Sequence, residues 1–236
     1  MTESELSARL EAFAAAARKM GDYGLMRCSS GNLSWRLDDE RMLVKSSRAW
    51  MADLTPEDIS ICRISDGEHL SGRRPSVEFN LHAGCLRVRP EMDVVLHFQT
   101  PAATALACSK NLAEIDFFVI PEIPFYIGPI GLVPYVFPGT PQLAEAVTGV
   151  MQTHDMAILA NHGLVTIGRD FADVTQKAAF FELACDLILR AGPQVRTLTP
   201  DAVSELRSAC ARTLPRRYVQ EGLQGNRPAG PRRHRC

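Results

Sequence analysis

The 236-residue chain lacks the features that mark several large classes of protein. No apolar run approaches the length needed to cross a bilayer, so no membrane partner is expected. The opening residues include Glu3 and Glu5 and no apolar stretch of the kind that heads a signal peptide, which points to the cytoplasm. An excess of either charge is also missing. Lys and Arg number 26 against 27 Asp and Glu, a formal net charge of −1, which leaves no broad basic field for nucleic acid. There is no Cys-x-x-Cys pair. The seven cysteines (Cys28, Cys62, Cys85, Cys108, Cys185, Cys210 and Cys236) are odd in number and scattered, and read as reduced thiols that mostly fill core. With no Ser/Gly-rich linker and no internal repeat, residues 1–214 read as one domain. Residues 215–236 differ: six arginines, three prolines and three glycines with little apolar material predict a disordered basic tail.

What is present is an interleaving of helical and extended patterns. Leu6, Leu10, Phe13 and Ala17 recur at helical spacing within residues 4–20. Short strand-like runs follow near 32–36, 42–45, 58–63 and 93–98. Ser76 is placed to cap a helix that Pro90 stops, Pro101 stands where another helix can start, and Thr140 with Pro141 forms an N-cap and first-turn pair. Asp170 is placed to cap a long helix closed by Gly192. Mixed elements of this kind predict an α/β fold with helices packed on a sheet.

The chemistry gathers at the ends of two apolar runs. Asp93-Val-Val-Leu-His97-Phe-Gln99 predicts a buried strand ending in His97 and Gln99, and alternation puts these two on one side. Met156-Ala-Ile-Leu-Ala-Asn-His162 predicts a second strand ending in His162. Glu78 lies upstream, where the helix after Pro75 is expected to begin. A lone strand-end histidine is ordinarily a satisfied core residue. Two imidazoles with a carboxylate nearby suit a divalent transition metal and a general acid/base.

The order of segments adds to this. Ser30-Gly31-Asn32-Leu33-Ser34, Arg41-Met-Leu-Val-Lys-Ser-Ser47, Leu54-Thr-Pro-Glu-Asp-Ile59, Pro75-Ser-Val-Glu78, Arg89 through His97, Pro101 through Ala105, Pro134 through Thr140 and Asn161-His-Gly-Leu164 together resemble the class II aldolase/adducin family over roughly residues 5 to 192. The resemblance implies a three-layer α/β/α fold around a mostly antiparallel sheet. It also implies a homotetramer with active sites between subunits. Family enzymes hold a zinc-type ion with three histidines and set a glutamate beside it; the matching positions here are His97, Gln99, His162 and Glu78. Zn²⁺ is therefore the expected ion, but a glutamine oxygen is a harder, neutral ligand, so zinc affinity should fall and Mn²⁺ or Fe²⁺ compete better than in relatives. His82, four residues past Glu78, is a substitute ligand, an outer partner or a packed core residue.

The family's phosphate nest is matched by Gly31, Asn32, Ser47 and Ser76, whereas Arg48 stands at a glycine place and Val77 replaces a serine. Phe125 falls where the family has an acid tyrosine reaching in from a neighbouring subunit, and the adjacent Tyr126 is taken as that acid. Arg216, Arg217 or Tyr218 would touch an anionic substrate if the tail folded over a neighbour's site. The implied activity is an aldehyde-lyase cleaving a small ketose, of the kind of L-fuculose 1-phosphate, through an enediolate whose proton Glu78 shuttles. The same machinery serves epimerases and decarboxylases in the family, and a non-catalytic adducin-like oligomeric module with a decayed metal site is the other alternative.

Overall fold

The computed structural model describes residues 1–217, with side chains through Cys210. Helix α1 (Glu3–Asp22) starts on a capping box: Thr2 Oγ1 accepts from Glu5 N at 3.2 Å and Glu5 Oε2 accepts from Thr2 N at 2.7 Å. Strands β1 (Asn32–Arg36), β2 (Arg41–Lys45), β3 (Ile59–Arg63) and β4 (His69–Gly72) follow as a meander. Asp38 turns the first hairpin by accepting from Glu40 N and Arg41 N. Then come α2 (Phe79–Val88), β5 (Val94–Phe98), α3 (Pro101–Ala107) and a π-helical turn at Ile123–Ile127. They lead to β6 (Ile130–Val133), α4 (Pro141–Met151), β7 (Met156–Leu159), β8 (Gly163–Gly168), α5 (Phe171–Ala191) and α6 (Pro200–Arg217).

The eight strands form one sheet in the order β4-β3-β2-β1-β5-β8-β7-β6. Every neighbouring pair is antiparallel except β6 and β7, so the sheet is mixed, and mostly antiparallel as expected. Apolar residues line both faces, because alternate residues of each strand point to opposite sides. Leu33, Leu43, Leu96 and Phe98 pack with Phe13 and Ala17 of α1, Leu106 of α3 and Phe181 of α5. Met42, Val44, Val95 and Val165 pack with Leu81 and Leu86 of α2 and Leu143, Val147 and Met151 of α4. The result is the three-layer α/β/α arrangement.

Thr140 caps α4 and Asp170 caps α5 where the sequence places them, accepting from Leu143 N and Asp173 N. α3 has no side-chain cap of its own residues; Glu182 of α5 accepts from Ala102 N and Ala103 N at 2.9 and 2.8 Å instead. The helix expected from Ser76 begins at Phe79. Pro75 bridges to Ser46 and Ser76 N donates to Lys45 O, so the end of β2 holds these residues extended for one turn longer. α6 continues through Arg217, past the expected boundary at residue 214. Tyr218 and the rest of the expected tail lie outside the described residues. Among the cysteines described, Cys62, Cys85 and Cys185 are buried and all are unpaired thiols.

Candidate metal centre and active site

The site forms on the α2/α4 face of the sheet, at the end of β5. Leu96 and Phe98 face the α1/α3/α5 layer, so His97 between them turns the other way, with Val95. His162 comes there by a route that differs from the expected one. β7 stops at Leu159, and Ala160-Asn161-His162 makes the tight connection to β8, with Asn161 in the left-handed region at φ 55°. Leu159 pairs with Gly163 and β8 runs back alongside β5, with Val165 opposite His97. The apolar run is therefore a strand plus a turn, and the turn sets His162 beside His97. Gly163 permits the close approach: a Cβ there would lie 2.8 Å from Gln99 Cγ and 3.2 Å from His97 Cε1. Gln99 Cγ thus lies against Gly163, the residue that follows His162.

Glu78 completes the group. Its Oε2 lies 3.5 Å from His97 Nε2 and its Oε1 3.3 Å from His162 Nε2. One ligating atom from each of the three residues falls within 4.8 Å of the others. His97 Nδ1 donates to Leu164 O at 2.9 Å, which fixes the tautomer and leaves Nε2 with a lone pair turned toward Glu78. Burial raises the Glu78 carboxyl, but the His97 ring, the Asn32 amide and the rings of His162 and His82 outweigh it and hold it below the usual carboxylate range. Burial, aided by His97 and opposed by Glu78, pushes the His162 ring down. Two imidazole nitrogens and a carboxylate are a donor set that fits a divalent transition ion. Buried Glu78 Oε1 and His162 Nδ1 have no hydrogen-bond partner, as expected of groups shaped for something more than each other.

The expected anion-binding residues are engaged to different degrees. Gly31 holds φ 70° just before β1. Asn32 is buried, with Nδ2 donating to Glu78 Oε2 at 2.9 Å and Oδ1 in short contact with His82 Nε2. Ser47 N and Ser76 N donate to Arg74 O and Lys45 O, so these amides are spent within the fold. Ser76 Oγ accepts from Glu78 N at 3.4 Å. Arg48 is exposed and sits at φ 64°, a left-handed conformation at the place where the family resemblance puts glycine. Val77 is also exposed, beside Gly139 at a crevice that borders Glu78.

Tyr126 stands apart. It lies in the π-helical turn, 4.7 Å from the Phe125 ring and stacked at 5.4 Å on Phe180 of α5, so a single chain does not bring it to the metal group.

Two residues near the site were missed by sequence reasoning. Ser34 Oγ lies 2.8 Å from His82 Nδ1. Lys45 is buried, donates to Ala49 O at 2.6 Å and Ser29 O at 3.3 Å, and so ties the loop before Gly31 to the loop carrying Arg48. Burial pushes its ammonium down to about 8, against the pull of Asp58 and Glu78. Both left a trace in the sequence: Ser34 shares a strand face with Asn32, and Lys45 is the one charge ending the apolar run Met42-Leu-Val.

Known proteins resemble this chain in sequence and fold. The chain is 31% identical over 203 residues to a 3-oxo-tetronate 4-phosphate decarboxylase of Haemophilus influenzae, covering 84% of this chain and 96% of that protein. It is 32% identical over 199 residues to a methylthioribulose-1-phosphate dehydratase of Methylococcus capsulatus, covering 80% and 97%. The crystal structure of YgbL from Klebsiella pneumoniae, described as a putative aldolase/epimerase/decarboxylase, matches with a TM-score of 0.78 at 29% identity, over 88% of this chain and all of that one. Residues 11–189 match the family described as Class II Aldolase and Adducin N-terminal domain. With the motif order, the three-layer fold and the Glu78, His97 and His162 group in agreement, the chain belongs to the class II aldolase/adducin family.

Proposed function

We propose that the chain is a metal-dependent lyase that breaks a carbon–carbon bond beside the carbonyl of a small phosphorylated sugar derivative. A 3-oxo sugar-acid phosphate that loses CO₂ is its leading substrate class. The observation that carries the reading is the contact between a two-histidine cation site and a single carboxylate, all within 4.8 Å. His97 and His162 would hold a divalent ion, which when bound would supply the positive charge that makes an anion next to a carbonyl tolerable. Glu78 carries the proton at that carbon. Its neighbours keep it ionised in the resting protein, so it is ready to accept a proton from a carbon acid. By microscopic reversibility the same carboxyl returns a proton drawn from water once a bond has broken.

Decarboxylation of a 3-oxo-tetronate 4-phosphate and retro-aldol cleavage of a ketose 1-phosphate leave the same three-carbon fragment. In both, the electron pair of the broken bond stays on the carbon beside the carbonyl, and protonation there gives dihydroxyacetone phosphate. Only the leaving group differs. An aldehyde leaves once a second group has taken its hydroxyl proton, whereas CO₂ needs no such group. Tyr126, the expected second group, packs on Phe180, which favours CO₂ as the leaving group over the aldehyde of a fuculose-type cleavage. Retro-aldol cleavage stays the second reading because Tyr126 occupies a π-helical turn, a distortion frequent at functional sites, from which a neighbouring subunit would supply it.

The test is to incubate metal-loaded protein in D₂O with 3-oxo-tetronate 4-phosphate, with L-fuculose 1-phosphate and with dihydroxyacetone phosphate. CO₂ release with one deuterium in the product is the expected result. Aldehyde release from the ketose alone moves the assignment to an aldolase. No turnover and no exchange of dihydroxyacetone phosphate would leave the adducin-like binding module.

A further inference from the structure

Behind Glu78 runs a line of four buried polar side chains: Ser34, His82, Asn32 and Glu78 itself. Its directions are forced from one end. An ionised carboxylate only accepts, so Asn32 turns Nδ2 toward Glu78 Oε2. Asn32 Oδ1 then faces His82, and only a ring proton on Nε2 satisfies it. With that proton on Nε2, Nδ1 is the acceptor and Ser34 Oγ is the donor, at 2.8 Å. Asn32 and Ser34 project from one face of β1, and His82 sits one helical turn into α2, four residues beyond Glu78. The line therefore ties the carboxylate to the sheet through the helix that carries it. Its far end matters as well: Oε2 is pinned by Asn32, while buried Oε1 receives no hydrogen bond and lies 3.3 Å from His162 Nε2.

We infer that His82 is a positioning residue for Glu78: by donating from Nε2 to Asn32 Oδ1 it locks the Asn32 amide with Nδ2 toward the carboxylate, pins Oε2, and leaves Oε1 as the oxygen that carries the proton. The inference rests on the reading of Glu78 as the proton carrier. Without the His82 donor the Asn32 amide is free to turn over, and its oxygen would then face the carboxylate.

Three variants test this. His82→Leu removes the donor. His82→Gln restores it, since the Gln Nε2 falls where the ring Nε2 does, and His82→Asn stops one bond short. Loss of an outer partner of this kind costs about 10- to 100-fold. His82→Leu and His82→Asn should lose about that much in kcat for solvent exchange of dihydroxyacetone phosphate, with KM and bound metal per chain unchanged, and His82→Gln should keep most of the wild-type rate. A readout independent of activity is the ¹³Cδ titration of Glu78 in metal-free protein, assigned with Glu78→Gln. Its midpoint should move up in His82→Leu, where the Asn32 amide no longer holds the ionised carboxylate, and return in His82→Gln. A folded His82→Leu protein with an unmoved Glu78 midpoint overturns the inference whatever its activity. Wild type that fails to exchange dihydroxyacetone phosphate overturns the proton-carrier reading instead, while the carboxyl titration still decides whether His82 acts on Glu78.

Discussion

The ring of His162 stands 4.8 Å from the ring of His97, centroid to centroid and inclined by 70°. Neither strand by itself does this. The three-residue turn after β7 reverses the chain, β8 pairs with β5, and the Nδ1 donation to Leu164 O points His97 Nε2 into the gap that His162 enters. Two imidazoles this close, next to a carboxylate, repel one another when protonated and share a cation well.

Metal content is the first expectation. Protein purified without chelator should carry about one divalent ion per chain, and His97→Ala with His162→Ala should leave it essentially metal-free by plasma mass spectrometry. Gln99→His should shift the preference toward Zn²⁺ in competition with Mn²⁺, because imidazole is the softer ligand. Unchanged content in the double variant would remove the assignment.

Acid should weaken the fold from near-neutral pH downward. Burial pushes the His82 ring down to about 3, with His97 adding and Glu78 opposing. Below the ordinary histidine value near 6.5 the unfolded chain therefore takes up a proton that the folded one refuses. Stability fully present above that value is lost as pH falls, by up to about 1.4 kcal/mol per pH unit. The lowered His162 ring acts in the same direction, and the lowered Glu78 carboxyl does so only in the more acidic carboxylate range. Urea midpoints of metal-free protein between about pH 7 and about pH 4 should fall more steeply for wild type than for His82→Gln. Equal slopes would contradict the burial argument.

Gly31→Ala should damage fold and site together. The residue holds φ 70°, and an added Cβ would meet Met26 Cγ at 2.5 Å and His97 O at 2.7 Å. The left-handed conformation costs about 1–2 kcal/mol and the overpacking about 1–3 kcal/mol. Calorimetry should show a clearly lower Tm, and metal affinity should fall with it because the clash lands on the His97 backbone.

Arg48→Gly should do the reverse for stability. Arg48 sits at φ 64° with its side chain exposed, so glycine relieves about 1 kcal/mol of backbone strain. If the guanidinium grips the anionic end of the substrate, KM should rise by about tenfold or more while Tm increases. A rise in Tm with KM untouched would place Arg48 outside the substrate pocket.

Assembly decides the role of Tyr126. Light scattering at micromolar concentration should report a homotetramer. If the reaction is aldol cleavage and each site draws one residue from each of two subunits, mixing Tyr126→Phe chains with Glu78→Gln chains should recover aldehyde release that neither shows alone; a Tyr126→Phe protein that still releases CO₂ fits decarboxylation. No recovery in a confirmed mixed oligomer would rule out a shared site.

Much of this was legible from residue order. Alternation in Val94–Phe98 fixes which way His97 and Gln99 turn, Thr140-Pro141 and Asp170 fix where two helices start, and the spacing of Gly31-Asn32, Glu78, His97 and His162 carries the family. The strand alternation and the helix caps depend on neighbours within a few residues, where backbone geometry leaves little choice. The start of α2 escaped because Pro75 and Ser76 are held by β2, some thirty residues upstream. The place of His162 escaped because one apolar run can be a single strand or a strand and a turn until a partner strand pairs with its far half. The line from Ser34 through His82 and Asn32 to Glu78 crosses 46 to 50 residues of sequence at each step between strand and helix. Sequence chose its members. Which nitrogen donates and which oxygen is pinned was decided only when β1 and α2 packed face to face, since hydrogen-bond direction depends on atoms brought within about 3 Å.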